Sequence, residues 1–244
     1  MKLVDNALDL GLFSDNPGMP AWYTDELGAP PVEVIEHSPT YAERFYRLGG
    51  SCLKINHSTE PMPPGASGYK ELFVARAGLE RPVTLRDPDG LRITLVPEAD
   101  LDGAELAILM EVADPARQRE FFCHALGAAP AADGVRLGDA LFRFSPDPSA
   151  GRPAPTWSRG FKYYVLFVDD TPASHAELVA AGAEHGLRPL RLGDRCVFSW
   201  LRDPSGNWFE LVQRASPGRP LAEVDLAGDC WDEIIEWRTA GTPA

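Results

Sequence analysis

Four charged residues stand on short strands that otherwise read as apolar: Lys54, Glu71, Arg92 and Glu210. Strand alternation puts Cys52 and Asn56 on the face of Lys54, and Tyr69 and Phe73 on that of Glu71. Thr94 shares a face with Arg92, and Trp208 and Val212 share one with Glu210. An unpaired charge in a dry interior costs several kcal/mol. Lys54, Glu71 and Arg92 must therefore pair with one another, meet water or meet a ligand, unless a one-residue slip of register turns all three to solvent. The ligand reading is a small pocket with apolar walls and a few polar groups for an oxygenated molecule. Ala107, Leu109, Phe142, Phe144, Tyr163, Val165 and Phe167 are expected around Glu210. Such surroundings disfavour its carboxylate and raise its pKa, which suits a general acid or base; Tyr163 would orient it or donate a proton.

The remaining chemistry-bearing residues are sparse. His124, His175 and His185 fall on or near helical segments and read as solvated; His37 lies on a second strand beside Glu36. His57 ends the strand Leu53-Lys54-Ile55-Asn56-His57 at a rim, and is the histidine expected to be functional. Cys52, Cys123, Cys196 and Cys230 show no C-x-x-C spacing, which removes zinc-ribbon and thioredoxin readings and leaves reduced thiols.

Charge narrows the partners. Over 244 residues, 23 Lys and Arg stand against 36 Asp and Glu, a net charge of −13. A phosphate backbone would be repelled, so nucleic acid is excluded. No apolar run is long enough for a bilayer and the first residues lack a secretory pattern, so a cytoplasmic protein is expected.

Repeated elements position these residues. Leu85-Arg86-Asp87-Pro88-Asp89-Gly90 and Leu201-Arg202-Asp203-Pro204-Ser205-Gly206 each lead into a period-two run, and each reads as a β-hairpin. Three segments run from an apolar strand through a polar cap near Pro17, Pro115 or Pro172 to a helix closed by Gly28, Gly127 or Gly182. The chain therefore reads as β-α-β-β-β units at about 6–58, 103–147 and 160–214, with a reduced unit at 68–98 whose helix has shrunk around Gly78. Proline-rich linkers fall at 61–65 and 146–155, and apolar spacing over 230–237 predicts a docking helix.

The Asp203-Pro204-Ser205-Gly206 turn leading to Glu210, the helix pattern and the number of units resemble the vicinal oxygen chelate superfamily, which includes glyoxalase I, extradiol dioxygenases and bleomycin-binding proteins. The resemblance covers nearly all of the chain before the tail. It implies an α+β fold of paired units forming two incompletely closed eight-stranded barrels. Residues 1–99 and 100–216 would form the two pairs and 217–244 a tail. Units could pair as neighbours or swapped (one with four, two with three), and the swap would bring Lys54 to Glu210. The resemblance also implies a divalent metal held by first and last strands. The last-strand positions are Lys54, Thr94, Phe142 and Glu210; the first-strand positions are Leu8, Tyr69, Ala107 and Tyr163. Only Glu210 is of ligand type and the usual histidines are absent, so a divalent metal is expected only through Glu210. The expected ligand-binding set is Lys54, Asn56, His57, Tyr69, Glu71, Arg92, Thr94 and Trp208, with Glu210 and Tyr163 catalytic. The implied function is metal-assisted lyase or dioxygenase chemistry, or Glu-based proton transfer, on a small oxygenated molecule. The other class is a sequestering binder without catalysis. A monomer or homodimer without membrane partners is expected.

Overall fold

Both Asp-Pro-x-Gly segments close their hairpins with the same bonds. Asp87 Oδ1 accepts the backbone N–H groups of Asp89 and Leu91, and Asp203 Oδ1 accepts those of Ser205 and Asn207. Gly90 and Gly206 take φ of +92° and +80°, which a side chain would disfavour. The second carboxylate oxygen of each is docked from a helix: Tyr23 donates to Asp87 and Gln118 to Asp203. The two ribbons thus sit in like surroundings. The computed structural model describes residues 1–147 and 155–239, so the proline-rich segment at 146–155 lies largely outside the described residues.

The first unit runs β1 (Asp9–Ser14), α1 (Met19–Asp25), β2 (Pro31–Ser38), β3 (Tyr41–Leu48) and β4 (Ser51–Ser58). The second has only β5 (Tyr69–Ala75), β6 (Val83–Arg86) and β7 (Arg92–Val96). The third is β8 (Leu106–Val112), α2 (Pro115–His124), β9 (Ala129–Ala131), β10 (Gly134–Leu137) and β11 (Ala140–Pro146). The fourth is β12 (Gly160–Phe167), α3 (Thr171–Ala180), β13 (Glu184–Leu192), β14 (Cys196–Arg202) and β15 (Trp208–Arg214), followed by α4 (Trp231–Thr239). Asp114 and Asp170 cap α2 and α3 through backbone N–H groups of the first turn, with proline at the first positions.

The units pair in the swapped manner. An eight-stranded sheet has the order β13-β14-β15-β12-β1-β4-β3-β2, and a seven-stranded sheet the order β6-β7-β5-β8-β11-β10-β9. Each sheet therefore takes strands from both sides of the 99/100 boundary. The second sheet has seven strands rather than eight because residues 76–82, between β5 and β6, are too few for a helix and a further strand; they form a turn at Gly78 (φ +73°). Leu10, Leu53, Tyr164 and Phe209 of one sheet share a core layer with Leu72, Ile108 and Phe142 of the other and with Tyr23 and Phe122 of the helices. Burial of each such side chain contributes about 1.5–3 kcal/mol. This layer fixes the backs of the sheets and leaves the opposite face of the eight-stranded sheet to form a cup. Among the described residues, no helix is long and apolar enough to cross a membrane.

Candidate functional site

The cup of the eight-stranded sheet encloses a cavity of about 880 Å³. Alternation aims Asp9 and Phe13 of β1, Cys52, Lys54 and Asn56 of β4, Tyr163, Val165 and Phe167 of β12, and Glu210 and Val212 of β15 into it. Gly11 lies among them without a side chain, and a Cβ there would be 1.9 Å from Tyr163 Cζ, so the Tyr163 ring crosses the strand at this glycine. One wall is apolar, from Leu187, Phe198 and Trp200; α4 closes over it with Ile234 and Trp237. Trp237 lies 5.2 Å from Trp200 and 5.5 Å from Trp208, ring centre to ring centre.

The opposite wall carries a connected polar network. Lys54 Nζ lies 3.2 Å from Glu210 Oε2 and 3.5 Å from Glu43 Oε1, with its charge 5.1 Å from the Tyr163 ring centre. Glu43 Oε2 in turn lies 3.4 Å from His37 Nε2. Asn56 Nδ2 donates to Tyr163 Oη (3.0 Å) and to the Leu12 carbonyl (3.0 Å), and Asn56 Oδ1 accepts from Tyr41 Oη (2.8 Å). At the far end Asp9 Oδ2 pairs with Arg214 at 3.0 Å and Asp9 Oδ1 accepts the Cys52 N–H.

Burial pushes the Glu210 carboxyl up; the Lys54 ammonium opposes this and the Glu43 charge adds to it. Burial also acts upward on Glu43, but Lys54 and His37 outweigh it and hold that carboxyl at about 2. Lys54 is raised well above the ordinary lysine range, because Glu210 and Glu43 outweigh its burial. Burial raises both Tyr163 and Tyr41, so both phenols keep their protons. The Cys196 thiol, buried near Glu210, is pushed up to about 11 and is no nucleophile. The arrangement is one carboxylate held low by its cations, one ammonium held high, and one carboxyl that burial raises.

Residues 107–212 match the family model described as a glyoxalase-like domain. Glyoxalase I from Zea mays superposes with a TM-score of 0.68 at 15% identity, over 84% of this chain and 91% of that one. A putative dioxygenase from Bacillus subtilis gives 0.63 at 12% identity, over 99% of this chain and 98% of that one. This is the vicinal oxygen chelate superfamily fold. No curated protein matches the sequence. At these identities the solved structures speak for the fold alone.

Strand register identifies the four cup positions that correspond to the metal positions implied by the resemblance. Lys54 is partnered with Gly11 and Glu210 with Val165, so Gly11 and Val165 are equivalent. Gly11 pairs across the two first strands with Tyr163, and Val165 with Asp9, so Asp9 and Tyr163 are equivalent too. The four positions hold Asp9, Lys54, Tyr163 and Glu210. This donor set does not fit a divalent ion: one member is an ammonium and one a protonated phenol. Among the described residues no three of His, Cys, Asp and Glu gather as metal ligands.

The structure brings Lys54, Asn56, Tyr163 and Glu210 of the expected residues together in the cup. Trp208 lies beneath the apolar wall, against Trp200 and Trp237. Tyr69 lies in the seam between the sheets, where its hydroxyl donates to the Trp208 carbonyl at 2.6 Å. His57 is turned away from the cup, with Nε2 3.2 Å from the Asn16 carbonyl oxygen. Glu71, Arg92 and Thr94 form their own network on the seven-stranded sheet: Arg92 pairs with Glu71 at 3.1 Å and Thr94 donates to it at 2.6 Å. Ala107 and Leu109 belong to that sheet as well, and Phe142 and Leu8 lie in the shared core, so none of the four adjoins Glu210. Asp9 replaces Leu8 as the first-strand position. The step from Asp9 to Asp15 is six residues and that from Tyr163 to Asp170 is seven, so counting back from the acid overshoots by one.

Sequence reasoning missed Asp9, His37, Tyr41 and Glu43. The available signal was the alternation Tyr41, Glu43, Phe45, Arg47 along β3, all of which face the cup. His37, rather than His57, is the histidine that lines it.

Proposed function

We propose that the eight-stranded cup binds a small oxygenated organic molecule and that Glu210 moves a proton at a carbon next to its carbonyl or hydroxyl. The observation that carries this reading is the pairing of Glu210 with Lys54 at the base of a cavity with an aromatic wall. A carboxyl raised by burial is a stronger base than one in water. Asn56 donates to Tyr163 Oη, so the phenolic proton is directed elsewhere and can bond a ligand oxygen. The three protons of the Lys54 ammonium go to Glu210, Glu43 and Tyr163 Oη, so the phenol is the donor left for the ligand oxygen.

The step balances without a redox partner. The Glu210 carboxylate takes the C–H proton, and the electron pair of that bond moves toward the carbonyl oxygen. The hydrogen bond from Tyr163, with the Lys54 charge behind that phenol, stabilises the oxygen as its charge develops. Reprotonation from Glu210 at the same carbon restores the carbonyl and releases exchanged product.

The test is deuterium exchange in heavy water, followed by NMR across a panel of α-hydroxy ketones and aldehydes. The wild type should exchange the α-proton of at least one member, and Glu210→Gln should slow this by about 10²-fold or more while binding persists. Equal exchange in the two proteins would remove Glu210 from the role. The aromatic wall and the Trp237 closure favour a second reading, a binder that sequesters its ligand. Saturable one-to-one binding, without exchange or product in either protein, would select that reading.

A further inference from the structure

The cation of this cup belongs to the chain. We infer that the Lys54 ammonium occupies the place of a divalent metal, so that the cup works without one and is kept from taking one by this single side chain. The inference concerns the same cup as the proposed function, yet metal uptake is read without any organic ligand, so the two can fail separately.

Three observations carry it. First, the register places Lys54 and Glu210 at equivalent positions of two last strands, with Asp9 and Tyr163 at equivalent positions of the two first strands. Second, Lys54 Nζ lies between two carboxylates, 3.2 Å from Glu210 and 3.5 Å from Glu43, and is itself only 9% exposed. A divalent ion reaching Glu210 would have to displace or adjoin a buried positive charge, where repulsion is little screened. Third, the remaining members cannot compensate. The Tyr163 ring fills the space over Gly11, and Asp9 is already held by Arg214 and the Cys52 N–H.

The same geometry says what the barrier is made of. Replacing Lys54 by histidine removes the charge and leaves an imidazole beside Glu210 and Glu43, the two carboxylates that flank the ammonium. Two carboxylates and an imidazole are the donor types that first-row divalent ions accept.

The experiment uses the full chain. Wild type, Lys54→His and Lys54→His/Glu210→Gln are each incubated with Mn²⁺, Ni²⁺ or Zn²⁺, desalted and assayed by elemental analysis, with near-UV circular dichroism to verify folding. The wild type should retain less than about 0.1 equivalent, Lys54→His about one equivalent, and the double variant should lose it again. One equivalent bound by the wild type and lost in Glu210→Gln would overturn the inference. A folded Lys54→His protein that binds no metal would also overturn it, because the ammonium would then not be the barrier. The wild-type arm decides alone should the histidine variant not fold.

Discussion

Lys162 offers a sharp test of the packing between the units. It lies on β12 between Phe161 and Tyr163, is 1% exposed, and its Nζ donates to the Gly65 carbonyl at 2.7 Å. No carboxylate pairs with it among the described residues. Burial alone holds its pKa at about 7, against an ordinary value of 10.5. Between those two pH values the unfolded chain binds more protons at this site than the folded one, so stability must rise with pH across the window. Integrated from pH 7 to about 9.5, the gain is about 3 kcal/mol. Below pH 7 both states are protonated and the site adds no further pH dependence. Replacing Lys162 by methionine keeps the stem and removes the titration. The Gly65 carbonyl loses its donor, a cost of about 1–3 kcal/mol at every pH. Urea midpoints of wild type and Lys162→Met, followed by circular dichroism across that range, separate the two effects. Tyrosines and cysteines are common to both proteins and cancel. The wild type should gain on the variant by about 3 kcal/mol as pH rises. A difference that stays constant within about 0.5 kcal/mol, where only the hydrogen bond registers, would refute the reasoning.

Two further outcomes follow from the cup. Gly11→Ala puts a methyl 1.9 Å from Tyr163 Cζ, so the ring must leave its place; thermal unfolding should show a loss of about 1–3 kcal/mol, and binding of any cup ligand should weaken. Trp237→Ala removes ring contacts with Trp200 and Trp208 worth about 0.5–1.5 kcal/mol each, so amide exchange across 231–239 should accelerate while protection in β12 and β15 stays unchanged.

What could be read in the sequence was local. The Asp-Pro-x-Gly turns draw their bonds from within five residues, and the helices from caps and glycines beside them, so both follow from residue type. Faces of strands were harder, because alternation needs an anchor and one residue moves every side chain to the other face. The anchor at Glu210 gave the faces of β4, β12 and β15, whereas Leu8 was taken for Asp9 across a loop one residue shorter. Arg143 rather than Phe142 faces the seven-stranded sheet's open side, over the Phe73 ring at 5.1 Å. The site residues on β2 and β3 were hidden for another reason. β2 is exposed along nearly its whole length, so no apolar stripe marks which of His37 and Glu36 turns inward.

The choice between neighbour and swapped pairing lies outside the pairing of Lys54 and Glu210. Register equivalence gives the first-strand position of unit two as Glu71 and the last-strand position of unit three as Arg143. With neighbours paired, Lys54 would have met Glu71 and Glu210 would have met Arg143, so these two charges would still have found partners, whereas Asp9 would have lost Arg214. The pairing of Lys54 and Glu210 is therefore degenerate between the two assemblies and does not by itself select one. The bonds that differ hold each unit to a unit of the other sheet: Tyr23 to Asp87, Gln118 to Asp203, and Tyr69 to the Trp208 carbonyl. All are buried. A hydrogen bond of this kind contributes about 0.5–1.5 kcal/mol, and about 1.5–3 kcal/mol where the acceptor is charged, as it is in the two aspartate bonds when those carboxyls are ionised. These residues lie on helices, turns and strand ends whose spacing carries no periodic signal. The swap that assembles Lys54 and Glu210 into one cup is thus favoured by contacts made outside the cup, on the backs of the sheets.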